Sequence, residues 1–290
     1  MKNSIRFLQI ISLFQFLSSC GEMNGKQNVK ENPKDSVTAI PDTVSSLPVT
    51  DTTSALLTPE SCFEMKSISK NEYERLRTTT GSNKSDLLSE TRYPEQFFSL
   101  IGLSNIKKAF VTMEEDALKG NKRILRKGDI LVVKGDKKEH RFVNRFENFY
   151  PEYPDSLENN YTIEEFYIYD GKLKLSGIDC ICAMYYEGRS YFLADASGTI
   201  FEVCGYPEES PDGKHLFCSN TDLVAGFSAN GFNILEVKNG ILVRKCEVFP
   251  EDYGLEMARW IGNDVIIAKK IISGSGDGNT DGGFVKITLK

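Results

Sequence analysis

The chain is poor in the residues on which many metal and acid–base sites are built. Among 290 residues there are two histidines, His140 and His215, and one tryptophan, Trp260. That count excludes a histidine-rich metal centre and leaves a Ser-His-Asp triad only two positions from which to draw its base. No apolar run approaches the ~20 residues that a helix needs to cross a hydrocarbon core of ~30 Å, so a many-pass helical membrane protein is excluded. There is no basic excess either: 35 Lys and Arg stand against 41 Asp and Glu, a net charge of −6, and an acidic chain is a poor partner for nucleic acid. With 40% hydrophobic and 26% charged residues the composition is that of a globular protein, which excludes disordered, collagen-like and coiled-coil classes. The length suits one large domain or two small ones.

What is present begins with a targeting signal. Lys2 and Arg6 precede an apolar stretch from Phe7 to Leu17, which closes on Leu17-Ser18-Ser19-Cys20. About eleven apolar residues is too short for a permanent span, so residues 1–19 read as a cleaved export signal. The segment resembles the signal of bacterial lipoproteins, in which a Leu, two small residues and a Cys form the lipobox. The resemblance implies that Cys20 becomes the mature N-terminus and carries acyl chains, palmitate among them. That anchors the protein in the cell envelope, at the outer membrane. An ordinary secretory signal with a chance Cys is the alternative. Loss of Lys2 and Arg6 takes the charge to 33 − 41 = −8.

Residues 20–60 read as a disordered tether. From 21 to 60 they hold no aromatic residue, ten Ser or Thr, and Pro33, Pro41, Pro48 and Pro59, too little apolar surface to offset ordering entropy. Forty such residues reach about 35 Å. Beyond Cys20, six cysteines (Cys62, Cys180, Cys182, Cys204, Cys218 and Cys246) lie in a chain bound for an oxidising compartment. Their fifteen connectivities stay open, with buried thiols as the alternative. Cys180 and Cys182 point to one face of a strand and are poorly placed to bond each other.

The body reads as mainly β. Ser69-Lys70-Asn71-Glu72 has capping-box spacing before a short helix, and Pro94 to Ile101 suggests a second. Later segments alternate apolar runs with turn signals: Gly135-Asp136 after Ile130–Val133, Asp170-Gly171 after Phe166–Tyr169, Asp195 to Gly198 after Tyr191–Leu193, and Asn239-Gly240 after Phe232–Val237. Asp-Gly and Asn-Gly favour antiparallel hairpins because type I′ turns need positive φ at both central residues. Twelve Lys or Arg against six Asp or Glu between Lys107 and Arg145, and 12 − 22 = −10 from Pro151 to Lys290, suggest subregions at 61–150 and 151–290. The basic tract would suit an anionic surface; ordinary solvation and edge protection of strand faces is the stronger explanation.

Ser210-Pro211-Asp212-Gly213-Lys214, between a strand and His215–Cys218, resembles the blade hairpin of TolB-type β-propellers. The turn chemistry is legible: Pro211 presets φ, Asp212 bonds its own backbone, and Gly213 takes the left-handed position. Phe232–Arg244, Leu255–Trp260, the turn at Gly262 to Asp264 and Val265–Ile271 suggest a second unit. The resemblance covers about residues 165–290 and implies an incomplete or irregular propeller-like stack.

No residue set reaches a defined reaction, and nothing calls for a cofactor. Asp277, Asn279 and Asp281 begin a calcium-loop pattern whose ninth and twelfth positions are Val285 and Thr288, so the bidentate carboxylate is missing and a Gly-rich hairpin tip is the simpler reading. Gly226 to Gly231 falls one residue off a nucleophile elbow around Ser228. The carboxylate pairs Glu208-Glu209 and Glu251-Asp252 are too common a feature to discriminate. Phe146, Phe149, Tyr150, Tyr153 and Tyr161 in the connector, with Tyr185 and Tyr186, are candidate ligand contacts, since loop aromatics bury much area at low entropy cost. The expected function is a non-catalytic envelope module binding a protein or glycan, with a carboxylate-based glycan enzyme and an immunity or inhibitor lipoprotein as alternatives.

Overall fold

The computed structural model describes residues 59–79, 103–136, 138–148, 161–185, 188–226, 228–274 and 279–290. Strands take up 57% of them, so the chain is mainly β, and every strand pairing is antiparallel. Four sheets follow one another along the sequence as meanders. The first holds β2 (Ile124–Lys127), β3 (Ile130–Lys134) and β4 (Glu139–Val143). The second holds β5 (Arg145–Asn148), β6 (Tyr161–Lys172), β7 (Asp179–Met184), β8 (Arg189–Ala194) and β9 (Ile200–Val203). The third holds β10 (Tyr206–Glu209), β11 (His215–Asn220), β12 (Gly231–Lys238) and β13 (Ile241–Val248). The fourth holds β14 (Tyr253–Trp260), β15 (Val265–Ser273) and β16 (Asn279–Leu289), and β1 (Phe63–Ile68) completes it by pairing with β16 from Phe63↔Leu289 to Ile68↔Phe284. Pairing β5 with β6, and β1 with β16, joins strands from both sides of residue 150.

Three apolar layers bind the four sheets into an irregular propeller-like stack, and strand alternation assigns residues to them. All six residues of β7 are buried because both faces are covered. Cys180, Cys182 and Met184 meet Leu216, Cys218 and Leu235 of the third sheet. The intervening Ile181 and Ala183 meet Ile124, Leu131, Val133 and Phe142 of the first. In β11 the same logic sends Leu216 and Cys218 toward the second sheet and Phe217 toward Trp260, Ile266 and Ile287 of the fourth. The two cysteines of β7 do share one face.

Among the described residues three helices accompany the sheets: α1 (Pro59–Cys62), α2 (Lys70–Thr79) and α3 (Leu103–Leu118). α2 starts where the capping spacing places it, with the Glu72 amide donating to Ser69 Oγ at 3.2 Å. α3, sixteen residues long, is an element the sequence reading did not foresee. It covers the margin of β6 beyond its short pairing with β5. There the amide of Tyr169 donates to Glu114 Oε2 at 3.1 Å, and Arg126 donates to both Glu114 oxygens (2.5 and 2.9 Å) and to the Tyr167 carbonyl (2.6 Å). The Tyr167 amide donates to Asn144 Oδ1 at 2.9 Å, so buried backbone groups on that margin find side-chain partners in place of a strand. The helix expected at Pro94 to Ile101, the signal at 1–19 and the tether up to residue 58 lie outside the described residues.

Turn chemistry holds at most positions and fails at one. Asn239 and Gly240 both have positive φ (54° and 76°), as a type I′ turn between β12 and β13 requires. The Ser210–Gly213 turn joins β10 to β11, with the Gly213 amide donating to the Ser210 carbonyl at 2.9 Å and Gly213 at φ 69°. Asp170-Gly171, expected as a hairpin tip, is instead a bulge inside β6, where the register shifts between Tyr169 and Gly171. Asp170 is buried, and the chain runs on to turn at residues 173–178, where the Leu173 amide donates to Ile178 O at 2.8 Å. A glycine suits a bulge as well as a turn, so the dipeptide alone does not separate them.

Cys62 and Cys246 form a disulfide with Cα atoms 6.3 Å apart, joining the start of β1 to β13 across 184 residues of sequence. Chain-entropy arguments make such a long closure stabilising by about 5 kcal/mol at most. Cys246→Ser is expected to cost about 2 to 5 kcal/mol in chemical denaturation, with a matching loss when the parent is reduced.

Gly213 gives a second test. An added Cβ there would lie 2.8 Å from Leu175 Cβ, whereas at Gly128, also in the left-handed region at φ 60°, it would meet nothing within 4 Å. Both Ala variants carry the backbone cost of about 1 kcal/mol, but Gly213→Ala must also displace the β6–β7 turn and is expected to lose about 1 to 3 kcal/mol more than Gly128→Ala. Equal losses in urea melts would contradict the packed-turn assignment.

Candidate functional site

One end of the stack is laced by its turns. The buried Asp195 carboxylate organises its own β8–β9 turn, accepting from the amides of Ser197 and Thr199 (both 3.0 Å) and from Ser197 Oγ (2.6 Å), and its second oxygen accepts from the Leu242 amide of the third sheet at 3.2 Å. Ala196 donates to the Gly240 carbonyl at 2.8 Å and Asp136 to the Ser197 carbonyl at 3.0 Å, which ties three sheets through one turn. Gly198 has to be glycine: a Cβ would stand 2.2 Å from Gly135 Cα. Glu209, also buried, accepts from the amides of Leu175 and Ser176, pinning the β6–β7 turn to β10.

Beside this lacing opens a cleft of about 600 Å³, bounded by the residues after α3, by the ends of β6 and β7, and by Ala196 and Gly240. A volume of this size is typical of small-molecule sites. Its lining mixes polar and apolar surface. Lys119, Lys122, Arg123, Lys172 and Asp179 are its charged members, with Asn121 and Tyr169 between them and glycines at 120, 171, 177 and 240. The floor is a closed network. Asp179, 1% exposed, accepts from Arg123 Nη2 at 2.5 Å and from Tyr169 Oη at 2.7 Å, and Lys172 Nζ stands 3.3 Å away. Asn121 donates to Tyr169 Oη at 3.1 Å, and Arg123 donates to the Asp195 and Ala194 carbonyls. Removing Arg123 would strand a buried carboxylate, a loss of about 3 to 5 kcal/mol. A smaller hollow of about 360 Å³ between the third and fourth sheets is lined by Tyr206, Glu208, Thr221, Glu256 and Met257 among others.

Of the aromatic candidates from the sequence, Tyr185 has a described side chain, and it does not line the main cleft. Tyr161 begins β6 opposite Asn148, and Tyr185 follows β7 and packs against the first apolar layer. Tyr150, Tyr153 and Tyr186 lie outside the described residues. Asn279 and Asp281 stand in β16, where Asp281 accepts from the Gly283 amide at 2.9 Å, and Asp277 lies outside the described residues. Ser228 is bound into its own loop, its amide donating to Asp222 Oδ2 at 2.8 Å. His215 stacks on Trp260, whose Nε1 donates to the Glu208 carbonyl at 3.0 Å.

Among the described residues the thiols outside the disulfide, Cys180, Cys182, Cys204 and Cys218, are buried. Burial raises the pKa of Cys180 and Cys218 far above the usual thiol range and pushes Cys204 up to about 12. Such groups hold no thiolate at neutral pH and make poor nucleophiles. One member of the cleft leaves a trace in the sequence, Asp179 inside the otherwise apolar run Ile178–Met184, a buried charge that has to be paired with partners no local pattern names.

Burial also raises the phenols of Tyr167 and Tyr169, with the carboxylates of Glu165 and Asp179 adding to it, and pushes Tyr185 up to about 12. Above about pH 10 the unfolded chain releases these protons while the native chain keeps them. Stability is therefore expected to fall as pH rises from about 10 to about 12, with tyrosinate absorbance appearing together with loss of near-ultraviolet ellipticity. Tyrosinate formation by these residues in a chain that stays folded would contradict their burial.

No protein-family model, curated protein or solved structure gives a significant match to the chain.

Proposed function

We propose that the chain is a non-catalytic binding module of the bacterial cell envelope, anchored by lipid at Cys20 and presenting a TolB-like, propeller-like β body to a glycan or protein partner. The observation that carries the binding reading is the cleft: a ligand-sized opening in which Asp179, the one lining carboxylate among the described residues, is committed to Arg123 and Tyr169. A glycosidase-type reaction would need a second carboxylate facing it and a proton to give, and Asp179 is held as an acceptor. The anchor reading rests on Leu17-Ser18-Ser19-Cys20. Capture from native membranes with the lipidated protein tests binding: a partner retained specifically supports the module, and turnover of a retained glycan overturns its non-catalytic character.

Cys20→Ala is expected to leave a folded body that moves from the membrane to the soluble fraction, because the acyl chains carry the attachment. Tight membrane association of this variant would remove the lipoprotein reading.

A further inference from the structure

The geometry points to an acidic glycan as the ligand of the cleft: a sugar-sized molecule bearing two or more negative charges, as phosphate, sulfate or carboxylate groups. This rests on the binding-module reading and names its ligand class. The charged groups lining the cleft sum to 4 − 1 = +3, with Lys119, Lys122, Arg123 and Lys172 against Asp179. Arg123 is spent on Asp179 and on two backbone carbonyls. Lys119 and Lys122 are exposed and have no acceptor among the described residues. Lys119, just past the C-terminus of α3, has a helix dipole to complement; Lys122 does not. An acidic chain of net charge −6 thus places two uncompensated cations, Lys119 and Lys122, at this cleft, with Lys172 beside them 3.3 Å from Asp179.

Shape and polarity narrow the class. Apart from the Tyr169 ring, the apolar side chains of the lining are those of Ala117 and Ala196, so the cleft offers no large aliphatic surface to an apolar ligand. Gly120, Gly171, Gly177 and Gly240 leave open space and backbone polar groups on its walls, which suits hydroxyl-rich rings. A concave opening of about 600 Å³ is too small for a protein face, since stable protein interfaces bury on the order of 800 Å² per partner. Lys122 and Lys172 then meet the anionic substituents, and Asn121 and the turn backbone meet the sugar hydroxyls.

The test is titration calorimetry of the full-length Cys20→Ala chain, which carries no acyl anchor, with a sulfated heparin-derived tetrasaccharide, with uncharged chitotetraose, and with vesicles of equal phosphatidylglycerol and phosphatidylcholine. The sulfated probe should bind, chitotetraose should bind at least tenfold more weakly, and added salt should weaken the sulfated probe alone. Lys122→Gln and Lys172→Gln should each reduce its affinity about fivefold or more, with Lys286→Gln in the fourth sheet unchanged. Equal affinity for chitotetraose would overturn the acidic class while leaving a glycan-binding module. Vesicle binding without saccharide binding, or losses no larger than those of Lys286→Gln, would overturn the site. Cleavage of either saccharide would instead overturn the non-catalytic reading and leave the cleft as the place where it binds.

Discussion

Burying the Asp195 carboxylate is the constraint on which the stacking of the sheets rests. In place of water it has the amides of its own turn and one amide of the next sheet, so desolvation is repaid only when the second and third sheets stand in one relative position. Apolar layers are tolerant of sliding; a carboxylate that must collect four donors is not. Glu209 repeats the device one turn away, and Asp179 extends it toward the first sheet through Arg123, which also grips the carbonyls of residues 194 and 195. The cleft is the space left beside these fixed turns.

The same arrangement accounts for the inert cysteines. Cys180, Cys182 and Cys218 fill the layer between the second and third sheets as small apolar groups, where larger side chains would push apart sheets whose turns are already pinned. The oxidised pair, Cys62 and Cys246, belongs to the other side of the third sheet, in the layer it shares with the fourth. Alternation along the strands therefore separates thiols from disulfide, and the chain position of each cysteine says nothing about its chemistry until the faces are known.

What could be read from the sequence was whatever is decided within a few residues. Ser210 to Gly213, Asn239-Gly240 and the cap at Ser69 each carry their own turn or helix chemistry, and each stands where it was expected. Asp170-Gly171 was misread because a bulge and a turn ask for the same residues. α3 was missed because Leu103, Ile106, Met113 and Ala117 keep helical spacing within a tract that also reads as a basic one. The cleft was illegible for a different reason. Arg123 and Asp179 are 56 positions apart, and Gly240 is farther still, so only the stacked turns bring them to one opening.

The disulfide sits at a mechanically decisive point. Cys62 is the residue immediately before β1, and its partner lies in a different sheet. Tension on the chain from the N-terminal side would otherwise fall on the β1–β16 hydrogen bonds and peel β1 away one pair at a time. With the bond in place the load leaves the chain at Cys62, enters β13 and spreads over the third sheet, to which the second is locked by Asp195 and Glu209. The strand that completes the last sheet is thereby shielded from the force most apt to strip it, and the stack can be held by its N-terminal end without being unravelled from it.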